Sequence, residues 1–249
     1  DNRTFRLGEN MLVRMPSAEY YALKVPKEQE LLPLLQSYLS INISEPIKMG
    51  NPSSDYPFNF SIYKWLDGVS ANQLNFDDKS LEIISLQLAN FLLELHAIDD
   101  INGPAPGEHN GWGGDHLMVK DVGTRSQITD LTGIIDENNS MELWNIVSKI
   151  KPNKNVWIHG DFAFGNFLID EGNLSGVIDF GGMAIGDPAC DLVIAWTFLK
   201  GKSRKLFIEQ MNYDSDTWLR ARGWALWKAT FDLREIINKN SVEALRHKK

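Results

Sequence analysis

A chain of 249 residues, 43% hydrophobic and 23% charged, holds enough apolar material for one large domain or two modest ones with a genuine core. Its net charge of −8 argues against a nucleic-acid partner, which needs a basic face, and no apolar run approaches the ~18 residues of a membrane span. A single cysteine, Cys190, excludes an internal disulfide and a cysteine-based metal site, and fits a reducing, cytoplasmic setting.

The chain opens "DNRTFRLGEN", with no initiator Met and no signal-peptide pattern, and enters a strand almost at once; an upstream segment is expected to be missing. "TFRL" (4–7) and "MLVRM" (11–15) around "GEN" predict a hairpin. "SAEYYALKVPKEQELLPLLQSYL" predicts helix capped by Ser17 and broken into pieces by Pro26 and Pro33. "EPIKMG" and "FNFSIYKWLDG" read as strands flanking the turn-rich "NPSSDYP". Residues 1–66 thus form a small strand-rich unit with one principal helix.

After Gly68 the texture becomes helical. In "DDKSLEIISLQLANFLLELHAI", Leu81, Ile84, Leu88, Leu92 and Leu95 share one helical face. The Gly/Pro/His-rich loop 102–116 is too long to be a mere connector; it either shapes a pocket or makes a surface excursion. Helical patterns return at 126–150. An apolar run at 156–158, the loop "HGDFAFGN" and a hairpin follow, and then helices, one of them Trp-rich, over 217–237. Trp218, Trp224, Trp227 and Phe231 fall at helical spacing and read as core. Residues 67–249 are expected to form a larger, mainly helical lobe.

The chemistry concentrates around "NFLIDEGNLSGVIDF". Pairing 167 with 178 and 168 with 177 makes this a hairpin with Asp170, Gly172 and Asn173 at its tip. That register sets Asn166 beside Asp179 at the open end, with Asp161 on the loop above. Each fragment alone is common, but D-x4-N-x12-D bracketing a hairpin brings two carboxylates and an amide oxygen to one spot. Such hard oxygen ligands suit Mg²⁺, and a carboxylate beside the metal suits phosphoryl transfer. His159 reads as a brace for the loop rather than a metal ligand. Asp187 before Pro188 reads as a helix N-cap, with Asp191 one turn on expected to brace the catalytic loop.

"HGDFAFGN" followed by "VIDFGGMAIGDPACDL" resembles the aminoglycoside phosphotransferase family, a branch of the protein-kinase-like fold; "DNRTFRLGENMLVRMP", "KEQELLPLL" and "FSIYKWLDG" extend the resemblance over nearly the whole chain. It implies an α+β, two-lobed kinase-like fold with a small, N-terminally incomplete β-rich lobe, a larger helical lobe, and ATP in the cleft between them. It further implies Asp161 as the base for an acceptor hydroxyl and Asn166 and Asp179 as the holders of Mg²⁺. Arg14 stands where kinases place a phosphate-gripping lysine, with Glu28 as its helical partner and Glu30 as the alternative. Arg is a forked, permanent cation and not equivalent to Lys. Tyr63, Lys64, Trp65 and Leu66 form the hinge expected to meet adenine through backbone groups. The loop that covers the phosphates in this family would precede "NRTF".

The implied acceptor is a small-molecule hydroxyl, with aminoglycosides first among antibiotic-like and metabolite alcohols. A macrolide or metabolite kinase and a catalytically silent nucleotide-binding module are the alternatives. A protein kinase would need a long activation segment after "DFG", and here "DFGG" runs almost at once into "GDPACDL".

Overall fold

The structure, a computed structural model, describes residues 2–246. Strands β1 (Asn2–Leu7) and β2 (Met11–Pro16) pair antiparallel from Asn2↔Pro16 to Leu7↔Met11, as the alternation predicts. Two helices follow, α1 (Glu19–Ala22) and α2 (Lys24–Gln36). The break between them falls at Leu23 and not at either proline. Pro26 is the third residue of α2, where a missing N–H costs no helical bond, and Pro33 is carried inside the helix. The residue at the N-cap position of α1 is Ala18 rather than Ser17. α2 buries Val25, Leu31, Leu32 and Leu35, and packs on the sheet completed by β4 (Pro46–Gly50) and β5 (Phe60–Lys64) in the order β1-β2-β5-β4.

Between α2 and β4 the short β3 (Asn42–Ile43) leaves this sheet and pairs parallel with a strand of the later hairpin, tying the two halves of the chain together. After β6 (Val69–Ser70) the long α3 (Asp78–His96) is capped by the Asp77 carboxylate on Ser80 N–H. Its predicted face, Leu81, Ile84, Leu88, Leu92 and Leu95, is wholly buried. α4 (Asp121–Asp130) and α5 (Glu137–Val147) precede β7 (Val156–Ile158).

The hairpin consists of β8 (Phe167–Asp170) and β9 (Asn173–Val177), and its register differs from the expected one by a residue. Phe167 opposes Val177 and Asp170 opposes Asn173. The two central turn residues are Glu171 and Gly172, at φ 46° and 80°, which is the left-handed pair that a tight two-residue hairpin needs. A bulge between Leu168 and Ile169 then absorbs the extra residue on β9. β10 (Ala184–Gly186) pairs with β7. Helices α6 (Ile194–Thr197), α7 (Gly201–Met211) and α8 (Ser215–Arg246) complete the helical part. α7 packs against α3, while α8 packs against α4 and α5. No helix among the described residues is long and apolar enough to cross a membrane.

Candidate active site

β7 is buried at all three residues, so the polar loop after it must satisfy its backbone groups inside the protein. Asp191, fully buried, does this with one carboxylate: Oδ2 accepts the His159 N–H at 2.7 Å and Oδ1 the Gly160 N–H at 2.9 Å. His159 Nδ1 accepts the Asp161 N–H at 3.3 Å, so the ring proton lies on Nε2 and is donated to the Ile178 carbonyl at 3.0 Å. The imidazole therefore clamps the loop carrying Asp161 to the residue before Asp179. Asn166 adds a second tie, its Nδ2 donating to the Asp161 carbonyl at 2.9 Å, while its own carbonyl accepts the Ile178 N–H. The Asp161 backbone is held from both sides and its carboxylate stands about half exposed.

Asp187 caps the following helical turn through the Ala189 N–H, and Pro188 occupies the first helical position, as the sequence predicts. The sequence does not reveal its second partner. Arg220 on α8 forks onto both Asp187 oxygens at 2.7 and 3.0 Å with both side chains buried, anchoring α8 beneath the site.

The shifted register alters how Asn166 and Asp179 meet. Asn166 faces Ile178, and Asp179 turns out of the ladder at φ 66° towards Arg14. Arg14 Nη2 donates to Asp179 Oδ1 at 2.5 Å, and Nη1 lies 3.6 Å from Glu28 Oε1. Glu30, the alternative partner, is exposed. Glu28 is buried and also accepts the Tyr63 hydroxyl at 2.8 Å. Burial pushes the Glu28 carboxyl up despite Arg14 and Tyr63. Burial opposes ionisation of Asp179 too, yet the adjacent guanidinium outweighs it and holds this carboxyl below the usual range. Arg14 is desolvated as well, but Asp179 and Glu28 more than compensate and raise its pKa. The result is a charged carboxylate already facing a cation.

Of the hinge, Tyr63 lines a cavity of roughly 360 Å³ with Asn2, Thr4, Leu12, Arg14, Ser44, Ile178 and Asp179. Its side chain positions Glu28, a role that a backbone-only reading of the hinge missed. Lys64 and Trp65 spend their N–H groups on the Glu45 and Asn10 carbonyls; the Lys64 side chain pairs with Glu45, and Arg6 stacks on the Trp65 ring at 3.9 Å. Lys64, Trp65 and Leu66 do not line that cavity.

A second cavity, roughly 520 Å³, shares Asn2, Arg14 and Asp179 with the first and contains Asp161. Asn110, Gly111 and Gly113 form one wall, so the 102–116 loop is a pocket wall. Its attachments include the Pro104 and Gly114 carbonyls, which accept the Ile185 and Asp187 N–H groups. Trp224 is core, but Trp227 and Phe231, read as core from their spacing, line this cavity with it. Four lysines escaped the sequence reading because single lysines carry no spacing signal. Lys24, Lys120 and Lys228 line the cavity. Lys27 reaches beneath it to the Gly181 and Met183 carbonyls at 3.0 and 3.1 Å and to His109 Nδ1 at 3.2 Å; burial lowers its pKa to about 8.

Mg²⁺ fits the chemistry of Asp179, which lines both cavities, and of Asn166, whose backbone carbonyl accepts the N–H of Ile178, the residue before Asp179. Asp179 is kept ionised and already pairs with a cation, and Asn166 keeps its amide oxygen as a hard donor because its nitrogen is bound to Asp161. No cluster of three or more His, Cys, Asp or Glu able to hold a metal exists among the described residues, so nucleotide oxygens would complete the sphere.

A small antiparallel sheet with helices α1 and α2, hinged to a helical part with a braced His-Gly-Asp loop and an Asn/Asp hairpin, defines a two-lobed protein-kinase-like fold. The chain belongs to the phosphotransferase enzyme family, whose profile matches residues 1–224. The aminoglycoside 3'-phosphotransferase of Salmonella typhimurium is 33% identical over 117 residues, 45% of this chain and 42% of that protein; the match thus spans less than half of the relative. Among solved structures, the GDP and kanamycin complex of APH(2")-IIia superposes with a TM-score of 0.73 at 21% identity over 97% of this chain and 85% of that one. The macrolide 2'-phosphotransferase MphH of Brachybacterium faecium does so at 0.57 and 16%, over 100% and 88%.

Proposed function

We propose that the protein transfers the γ-phosphoryl group of ATP to a hydroxyl of a small molecule in the cytoplasm, with neither nucleic acid nor membrane as partner. The observation that carries this reading is the tie of Asn166 to the Asp161 carbonyl and to the N–H of Ile178, the residue before Asp179, with Asp161 and Asp179 both lining the larger cavity. Nucleotide fills the cavity under Tyr63 and Leu12, and Arg14, aligned by Glu28, grips its phosphates. The Asp161 carboxylate accepts the proton of the acceptor hydroxyl as that oxygen bonds to the γ-phosphorus, and the bond to the β–γ bridging oxygen breaks to release ADP. Mg²⁺ held by Asn166 and Asp179 would supply charge neutralisation at the phosphate oxygens. The brace of His159 and Asp191 keeps Asp161 in place with no reorganisation during transfer.

The relatives make aminoglycosides the first acceptors to test. A second reading, another metabolite as acceptor, is favoured by the lysines of the larger cavity. A silent nucleotide-binding module is disfavoured because the base and both metal donors are present.

The test is product detection by mass spectrometry with Mg·ATP and a panel of aminoglycosides, macrolides and metabolite alcohols. Asp161→Asn should abolish transfer while Mg·ATP binding persists, and Asp179→Asn should weaken that binding itself. Wild-type transfer rates in both variants would overturn the assignment.

A further inference from the structure

The charges of the larger cavity are unbalanced once the transfer machinery is set aside. Its carboxylates are Glu28, Asp161 and Asp179: the first and last are paired with Arg14, and Asp161 is reserved for the acceptor hydroxyl. Every other charged residue lining it is a lysine, in a chain whose net charge is −8.

Lys228, on α8, sets its ammonium 3.7 Å from Asp161 Oδ1. Lys120 lies over the Trp227 ring at 4.6 Å and donates to the Gly111 carbonyl at 2.6 Å. Lys24 lies over the Tyr20 ring at 4.6 Å. Neither Lys24 nor Lys120 forms an ion pair among the described residues. Burial lowers the pKa of both; for Lys120 no carboxylate offsets it, whereas Asp179, Glu28 and Asp161 partly offset it for Lys24. A polycationic acceptor entering here would meet the Lys228 ammonium beside Asp161 and the Lys120 ammonium over Trp227, whereas a negative group would give Lys120 the counter-charge it lacks.

We propose that the acceptor is an anionic hydroxy compound, bearing a carboxylate or a phosphate ester that is held between Lys120 and Lys228. Its body lies on Trp227 and Phe231, and its free hydroxyl reaches Asp161. The proposal rests on the reading of Asp161 as the acceptor-side base.

Two measurements test it. The first needs no substrate: the Trp227 contribution to fluorescence, isolated by difference with Trp227→Phe, is quenched by iodide and, separately, by caesium. Iodide should exceed caesium by about 2-fold or more relative to free tryptophan amide, and the excess should fall in Lys120→Gln/Lys228→Gln. Caesium equal to or above iodide overturns the proposal. The second compares kcat/KM for gluconate, glucose 6-phosphate, glucose and kanamycin with Mg·ATP. Preference for one or both anions, reduced roughly 5–10-fold by Lys120→Gln but restored by Lys120→Arg, supports it; the better anion separates carboxylate from phosphate ester. Preference for kanamycin or glucose overturns the proposal and leaves the phosphotransferase reading intact. Failure to bind Mg·ATP or to phosphorylate any acceptor removes that reading instead, and the quenching ratio still decides the charge of the cavity.

Discussion

Gly160 is the residue at which the two halves of the active site touch, and Gly160→Ala is the sharpest probe of that contact. A Cβ there would lie 2.1 Å from the Gly182 carbonyl oxygen and 2.7 Å from its carbon. Carbon–oxygen contacts settle near about 3.3 Å, so roughly 1 Å of separation has to be found. Both obstructing atoms are backbone, and Gly160 is itself tethered by its N–H to Asp191 at 2.9 Å. The residue also sits at φ +81°, where a side chain costs roughly 1–2 kcal/mol. Overpacking adds about 1–3 kcal/mol, for a total loss of roughly 2–5 kcal/mol. Gly172→Ala is the internal control: it has the same backbone conformation, φ +80°, with nothing within 4 Å, and should show only the conformational cost. Urea unfolding of the two variants measures the difference. Transfer should fall at least ~10-fold in Gly160→Ala alone, because Asp161 moves with its neighbour. Equal destabilisation within about 0.5 kcal/mol, together with unchanged transfer in both, would refute the reasoning.

Removing one member of the Asp187–Arg220 pair should be severe. Arg220→Met strands a buried carboxylate and should cost roughly 3–5 kcal/mol in urea unfolding, while Asp187→Leu/Arg220→Met should recover part of that loss, leaving the lost helix cap as about 1 kcal/mol. Lys27 gives a signed pH dependence. Its folded-state pKa of about 8 lies below its ordinary value of 10.5, so between these pH values the unfolded chain carries the extra proton and stability rises with pH. Relative to Lys27→Gln, the wild type should gain roughly 1–3 kcal/mol across that window, measured by urea unfolding at successive pH values. A flat difference would show that the ammonium carries no burial penalty.

Much of the site is legible in the chain because local rules place it. The β1–β2 hairpin, the apolar face of α3 and the Asp187–Pro188 cap each follow from spacing or from a single side chain's local bonds. The recurrence of Asp, Asn and Asp around a hairpin points to metal and phosphate chemistry for the same reason, since neighbouring residues at a strand end stay neighbours in space. The register fails by one residue because a bulge leaves no mark in an apolar run, and the turn at Glu171 and Gly172 outweighs the simple pairing count.

What tertiary structure alone decides are the partners that arrive from far along the chain. Arg220 reaches Asp187 from 33 residues away and Arg14 meets Asp179 across 165, while Asp191, expected from the sequence to brace the loop, takes the His159 and Gly160 N–H groups from 32 and 31. The same holds for the larger cavity, where Lys24, Lys120 and Lys228 converge from three separate helical regions. An isolated lysine in sequence is indistinguishable from a solvated surface charge. Its meaning comes from the burial and neighbours that only packing supplies. Local residue order thus brings Asp161, Asn166 and Asp179 to one end of a hairpin, whereas only folding gathers Lys24, Lys120 and Lys228 around one cavity.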